Sequence, residues 1–281
     1  MAKSMLEELR RACVDAAPAG LLSGWRLAYV EETCSTMDVA RALTQDPAKA
    51  AELGAVDLGS GLGTNYVVLA HAQTAGRGRQ GRPWVSAPGC GIYATFGWAP
   101  VSLSSLQGLS LAAGLAVHRA VRALGGDAAL KWPNDVVVWR PEGMRKLGGI
   151  LVDVQSKGQG TETVLIGIGL NLFRQQFPVD VPGIALEELF GAAPDYTLTF
   201  ARLTAEVVQM LREFSSGGFS GLCEEWNAAS GMSGRTGEAS INGNSVRGRV
   251  IKVLEDGALF FHGEGEAEPR KIYSAELTFV A

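Results

Sequence analysis

The stretch QTAGRGRQGRPW, Gln73 to Trp84, carries three arginines and three glycines and no acid. Its centre, Gly76 to Gly81, fits the G-x-G-x-x-G pattern with which dinucleotide-binding folds hold a pyrophosphate. That pattern works when its glycines run into the N-terminus of a helix. Here the next residues are RPWVSAPGCG, and Pro83, Pro88, Gly89 and Gly91 exclude a helix of any length. Nor does an acid end a second strand about 20 residues on, where the chain reads FGWAPVS. The surroundings argue against a nicotinamide or flavin cofactor loop, and the stretch is read for its charge instead. Arg77, Arg79 and Arg82 bring planar guanidinium groups, suited to carboxylate and phosphate oxygens, onto a glycine-bearing backbone. Such a loop can close over an anionic, reactive species and exclude water. A solvated basic turn is the plainer reading of three arginines, and the rest of the chain decides between them.

The 281 residues are enough for one large and one small domain, or two of medium size. With 47% hydrophobic and 19% charged residues, the composition is that of a globular protein with a substantial core. The formal net charge of -4 gives no general attraction to nucleic acid or anionic membrane, so a basic site has to be local. The 4 cysteines, Cys13, Cys34, Cys90 and Cys223, form no C-x-x-C pair, and their scatter suits a reducing cytoplasm. The 3 histidines, His71, His118 and His262, lie far apart without an H-E-x-x-H pattern, so no zinc site is expected. Glu7, Glu8, Arg10 and Arg11 stand where a signal peptide needs an apolar core. The longest apolar stretch, Leu103 to Leu124, contains Gln107, His118, Arg119 and Arg122, and reads as a buried helix rather than a membrane span. A soluble, cytoplasmic protein is expected.

Along the chain, residues 5–17 predict a short helix and WRLAYVEE, from Trp25, the first strand. STMDVARAL predicts a helix with Ser35 or Thr36 as its cap and Asp38 in its first turn, against the helix dipole. YVVLAHA, Tyr66 to Ala72, and GIYATFGW, Gly91 to Trp98, read as strands. A helix from Ser104 buries Leu106, Leu109, Ala113, Val117, Ala120 and Leu124 and stops at Gly125-Gly126. Further strands are expected around ALKWPNDVVVW, around LGGILVDV and at TVLIGIGLNLF. A later helix has Phe200, Leu203, Val207, Met210 and Phe214 on one face. From about Glu238 short strands and tight turns, at Asn242-Gly243, Asp256-Gly257 and residues 263–266, predict a small all-β module. The expected division is an N-terminal extension (1–24), a catalytic α+β domain (25–232) and a C-terminal β domain (233–281).

Three more motifs keep the arginine stretch company: KWPND (Lys131 to Asp135), KLGGIL (Lys146 to Leu151) and GIGLN (Gly167 to Asn171). Together with GRGRQGRPW, in this order, they closely resemble the biotin–protein ligases. The resemblance runs from about Trp25 to the C-terminus, and the combination is highly specific where each motif alone is not. It implies an ATP-dependent enzyme that joins biotin to ATP as biotinyl-5′-adenylate, with Mg²⁺ on the polyphosphate. The biotinyl group then passes to one lysine of a biotin carboxyl carrier protein domain. The implied architecture is a mixed, mostly antiparallel sheet with flanking helices, related to class II aminoacyl-tRNA synthetases, followed by a small SH3-like barrel.

The resemblance also implies roles for residues. Lys146 matches the lysine between the biotin carboxylate and the α-phosphate, two anions that repel without positive charge between them. A surface lysine ahead of a strand is the alternative. Gly149, with Gly148, lets backbone and ligand approach closely. Gly76, Arg77, Gly78 and Arg79 match the loop that folds over biotin and its adenylate. Ser35 and Thr36 fall where the ureido ring binds, and Gln73 where biotin's carboxylate side is held. The family often carries Asn or Gln where this chain has Met37, which implies a backbone contact there. Arg82 matches a triphosphate contact. Trp84 is placed against adenine or in plain core packing. Lys131 and Asn134 are candidates for nucleotide contacts, and Asn171 for a phosphate neighbour or a turn residue. Asp135 either orients the incoming amine or forms a structural salt bridge. Metal ligands are not assigned.

The nearest rival is a lipoate–protein ligase, against which the arginine stretch and KWPND argue. A biotin-sensing repressor needs an N-terminal three-helix module, for which two dozen residues before Trp25 are too few, and a basic stripe. Neither DNA nor membrane is expected as a partner, and the resemblance leaves monomer and homodimer both open.

Overall fold

Alternating apolar residues build the frame. The computed structural model describes residues 2–46, 48–61, 63–99, 106–156, 162–178, 181–241 and 243–279. Its strands are β1 (Trp25–Thr33), β2 (Val56–Asp57), β3 (Asn65–Gln73), β4 (Gly91–Trp98), β5 (Ala129–Lys131), β6 (Asp135–Arg140), β7 (Gly143–Ser156), β8 (Glu162–Asn171), β9 (Thr236–Ile241), β10 (Asn244–Val253), β11 (Leu259–Gly263), β12 (Arg270–Ile272) and β13 (Glu276–Phe279). The helices are α1 (Ala2–Ala16), α2 (Thr36–Gln45), α3 (Lys49–Glu52), α4 (Leu109–Ala123), α5 (Leu186–Phe190), α6 (Tyr196–Gly217) and α7 (Cys223–Ser230).

The first eight strands form one sheet in the order β2-β1-β3-β4-β8-β7-β6-β5. Only β1 and β3 pair in parallel, and the other neighbours are antiparallel. The period of two sorts side chains to the two faces. Leu27, Tyr29, Val67 and Leu69 join a large core with Leu6, Leu9 and Cys13 of α1 and the apolar residues of α4 and α6. Ala28, Tyr66 and Val68 face the other way, into a small core with Met37, Ala40 and Leu43 of α2. Helix α4 is buried on almost every side, as a helix between a sheet and the outer helix α6 has to be. Helix α6 starts at Asp195, whose carboxylate accepts from the Leu198 N–H.

Residues from β1 to β8 pack into the large core on one face, while on the other α2 lies mainly over β3, β4 and β8 and reaches β7 only at its edge. Beyond α2, the strands on that face carry glycines. Gly149 pairs with Gly169 and Leu151 with Gly167, so these residues share that face, the first pair beyond α2 and the second at its edge.

Several local expectations change. KWPND does not lie on one continuous strand: β5 and β6 are two arms of a tight hairpin, turning at 132–134 with a cis Trp132–Pro133 peptide. Proline cannot donate to a ladder, so it sits in the turn. Neither Ser35 nor Thr36 caps α2 through its side chain. The start expected at Ser104 lies outside the described residues, as does Asn242 of one expected turn; α4 is described from Leu109, after Gly108 at φ 79.

The last five strands form a second sheet in the order β12-β11-β10-β9-β13, open between its two outer strands among the described residues. Closure into a barrel is thus not seen. This sheet shares the large core through Ala239, Val250, Leu259, Phe261 and Leu277. It also grips the KWPND hairpin: the buried Trp132 indole N–H donates to the Gly257 carbonyl at 3.1 Å. Nearby, Trp139 of β6 meets Phe279 of β13 edge to face at 5.1 Å. Among the described residues no helix is long and apolar enough to cross a membrane.

Trp132→Phe keeps an aromatic ring but removes the donor to Gly257. We expect it to lower unfolding free energy by about 1–2 kcal/mol in urea titration, most of it the lost hydrogen bond. No measurable change would mean that this bond does not tie the two sheets together.

Candidate functional site

The uncovered half of the sheet is the floor of a cavity of about 680 Å³. Its bareness has a steric cause. A Cβ on Gly169 would lie 2.4 Å from the Trp84 ring, one on Gly149 3.2 Å from it, and one on Gly167 3.0 Å from the Met37 sulfur. The indole therefore rests directly on the β7–β8 backbone, which only glycine permits.

Trp84 reaches that place because the arginine stretch is a small hairpin of its own. Trp84 N–H donates to the Gly76 carbonyl at 2.9 Å, and Gly78 N–H to the Arg82 carbonyl at 2.7 Å. The tip, Arg79–Gly81, is a 3-10 turn with Gln80 at φ 57 and Gly81 at φ 73. Instead of a free flexible loop, the stretch is a hydrogen-bonded flap over the cavity. Each arginine meets a different element: Arg77 pairs with Asp38 of α2 at 2.5 Å, Arg79 reaches Asn134 Oδ1 at 3.4 Å, and Arg82 pairs with Glu276 of β13. The Arg82 hydrogen bond holds the Glu276 carboxyl below the usual carboxylate range against the opposing effect of burial.

Beneath the flap lies a charged cluster. Lys146 Nζ is 2.6 Å from one oxygen of Asp135, and Lys131 Nζ 3.1 Å from the other. The side chains of Lys131 and Asp135 are only 9% and 13% exposed, against 22% for Lys146. Burial alone would raise the Asp135 carboxyl, but Lys131 and then Lys146 outweigh it and hold the group below its ordinary value. Lys146 points here because the β6–β7 register slips between Val136 and Val137, which leaves Leu147 as an extra residue. Leu147 then goes to the core while Lys146 faces the cavity, 5.4 Å from the Trp84 ring centroid. Asn171 braces the same place from behind, its amide donating to the carbonyls of Lys146 and Ile184 at 3.3 and 3.1 Å.

At the α2 end is a polar chain. The Thr36 N–H and hydroxyl both donate to Gln73 Oε1, at 2.9 and 3.2 Å. Gln73 Nε2 donates to the Ser86 hydroxyl at 2.8 Å, and Thr95 donates to Thr36 at 2.8 Å. Gln73 thus fixes the Ser35–Thr36 segment.

Of the residues singled out in the sequence, Ser35, Thr36, Met37, Gln73, Arg77, Gly78, Arg79, Arg82, Trp84, Lys131, Asn134, Asp135, Lys146, Gly149 and Asn171 all line this one cavity. Gly76 does not. It sits at the base of the flap, where a Cβ would lie 2.5 Å from the Trp84 carbonyl oxygen. In this structure Asp135 forms the salt bridge weighed as its alternative role. Sequence reasoning missed Thr95, although a fully buried threonine in an apolar strand was a signal. It also missed Glu276, and the wall made by Phe177, Val181 and Trp139, for which no spacing rule speaks.

Residues 58–171 match the biotin/lipoate A/B protein ligase family. A biotin–[acetyl-CoA-carboxylase] ligase of Paracoccus denitrificans is 31% identical over 241 residues, which cover 80% of this chain and 95% of that protein. The bifunctional ligase/repressor BirA of Bacillus spizizenii is 30% identical over 218 residues, 75% of this chain. The chain spans 63–65% of the length of the four BirA relatives it matches. A solved biotin protein ligase of Aquifex aeolicus, in complex with biotin and ATP, has the same fold, with a TM-score of 0.71 at 23% identity, over 90% of this chain and 97% of that one.

The charged cluster sets a pH signature. A carboxyl depressed in the folded state stabilises fully above its unfolded value, near pH 4, and that contribution is lost as pH falls through the lower folded value. Asp135→Asn leaves two lysines facing each other and is expected to cost about 3 kcal/mol at pH 7. Its stability should then lose less below about pH 4 than that of the unaltered chain, as chemical unfolding at several pH values would reveal.

Proposed function

The chain belongs to the biotin/lipoate A/B protein ligase family, and from that premise we propose that it activates biotin with ATP and transfers the biotinyl group to a lysine of a carboxyl carrier protein domain. The observation that carries this reading is the meeting of Lys146 with the arginine flap over a bare glycine floor. Two anions have to be brought together there without water.

The first step joins a biotin carboxylate oxygen to the α-phosphorus of ATP and breaks the bond to the β-phosphate, releasing pyrophosphate. Lys146 supplies the charge that lets the two anions approach, moving from Asp135 to the ligand oxygens. Arg79 and Arg77, brought over the cavity by the flap, neutralise the adenylate phosphate; Arg82 exchanges Glu276 for the outer phosphates. The Thr36–Gln73 chain fixes donors and acceptors for the ureido ring, with Ser35 beside it and the Met37 backbone alongside. Lys131 and Asn134 then stand on the nucleotide side. Trp84 lifts from the glycine floor to stand against adenine and leaves that floor to the vitamin's tail. In the second step the carrier lysine's amine attacks the acyl carbon and AMP leaves with the bonding pair. Asp135, freed when Lys146 turns to the ligand, orients that amine.

Mg²⁺ arrives on the nucleotide. The cavity carboxylates Asp135 and Glu276 are engaged by Lys131, Lys146 and Arg82, and among the described residues no group of three or more His, Cys, Asp or Glu side chains gathers to hold a metal. The donor set does not build a metal site of its own, and no step is assigned to the ion. We read residues 25–232 as the catalytic domain and 233–281 as an SH3-like module that helps to engage nucleotide and carrier. Four unpaired cysteines support work in a reducing compartment such as the cytoplasm.

Incubation of the purified chain with biotin and MgATP is expected to release pyrophosphate, and an apo carrier domain added to it to gain one biotinyl mass. Lys146→Gln should slow adenylate formation by about 10²–10³-fold. Pyrophosphate release with lipoate but not with biotin would overturn the assignment.

A further inference from the structure

The acid Asp38 has a use that the helix dipole does not explain. It stands in the first turn of α2, directly after the Ser35–Met37 wall of the cavity. Its Oδ1 accepts from Arg41 at 2.8 Å and from Arg77 at 2.5 Å. Arg41 is itself fixed from the far side: its Nη2 donates to Asp153 at 2.9 Å and its Nε to Gln155 at 3.1 Å, both on β7. Gln155 Nε2 in turn donates to the same Asp153 oxygen at 2.6 Å. A continuous chain of groups thus runs from β7, the strand that bears Lys146, through α2 to one arm of the arginine flap. Asp153 and Gln155 fix Arg41, Arg41 in turn meets Asp38, and Asp38 is the member that touches the flap.

We infer that Asp38 is a positioning residue: its carboxylate, set by Arg41, holds Arg77 and keeps the glycine flap shut over the cavity. Three features make this more than a surface ion pair. Two guanidinium groups converge on one oxygen, so neither arginine can leave without exposing the carboxylate to the other alone. The flap's arms are already hydrogen-bonded to each other, so a hold on Arg77 restrains the arm that carries Trp84 as well. The pair also sits where the flap meets α2, beside the polar chain of Thr36 and Gln73, so closure and the shape of that end of the cavity are set together. The biotin part of the test below rests on the function proposed above; the flap closure does not.

Trypsin reads the opening directly, because it cuts after Arg79 only when that backbone leaves the flap, at a rate that follows the open population. The Arg77 and Asp38 side chains are 43% and 38% exposed, so the effect of losing the pair is modest. Asp38→Asn is expected to speed cleavage after Arg79 about three- to fivefold, within the range of such pairs. It should raise KM for biotin by the same factor with kcat nearly unchanged, and Asp38→Glu should recover most of both. In cleavage after Arg79, Arg77→Gln should match Asp38→Asn, and the double variant should be no faster than either; only cleavage is read in the Arg77 variants, because that guanidinium also faces the adenylate in the function proposed above. Glu225→Gln, which breaks the distant pair with Arg119, serves as the control for general loosening and should leave cleavage unchanged. If Asp38→Asn does not fold, Arg41→Lys, which keeps the charge but loses the fork between Asp38 and Asp153, is expected to give a smaller rise in the same direction. Unchanged cleavage in these variants, an equal rise in Glu225→Gln, or effects that multiply in the double variant would overturn the inference. A chain that makes no adenylate at all would instead remove the biotin reading and leave the proteolysis result standing.

Discussion

An eight-stranded sheet has two faces to remove from water, and the helices of this chain cover one fully and the other in part. On the first face α1, α4 and α6 give a deep apolar core. On the second, α2 takes the part over β3, β4 and β8 and leaves the rest open. An exposed apolar floor would be a liability, and here it carries glycines instead. Where the glycines leave the backbone bare, the floor accepts a flat object, and that object is the Trp84 indole. The cavity, the flap and the placement of Lys146 all follow from this uneven covering.

Charge is then distributed in an economical way. The protein as a whole is slightly acidic, yet seven cations line one cavity, and five of them, Arg77, Arg79, Arg82, Lys131 and Lys146, belong to the flap and the cluster beneath it. Four of them face a carboxylate drawn from elsewhere in the fold, and Arg79 faces an amide. The partners of the flap come from α2, the KWPND hairpin and β13, so three segments distant in sequence meet at the flap. Electrostatics of this kind acts between groups a few ångströms apart and leaves no trace in the net charge.

Much of the frame was legible because it rests on periodicity: the strands at Trp25, Tyr66 and Gly91 and the helix with Phe200 and Met210 follow from which residues alternate. The clustering of Gln73, Arg79, Lys131 and Lys146 was legible only through the motif combination, since nothing in their spacing brings them together. Other features depend on contacts between distant segments. KWPND reads as strand on propensity, yet Pro133 and the neighbouring β7 turn it into a hairpin. Asp38 reads as a helix-dipole residue, because local sequence contains no hint of Arg77, 39 positions away. The bulge at Leu147 that turns Lys146 inward is set by pairing with β6, not by the residues at the bulge. Thr36 reads as a cap, but it is the first residue of α2 and its hydroxyl donates instead to Gln73, 37 positions away.

The triad of Lys131, Asp135 and Lys146 has a consequence of its own. Two ammonium groups share one carboxylate, so the largely buried cluster carries a net positive charge. Water screens such an imbalance poorly at that depth. An anion that enters therefore meets favourable charge before its shape is tested. Selection at this cavity thus begins with the sign of the charge and is refined afterwards by fit.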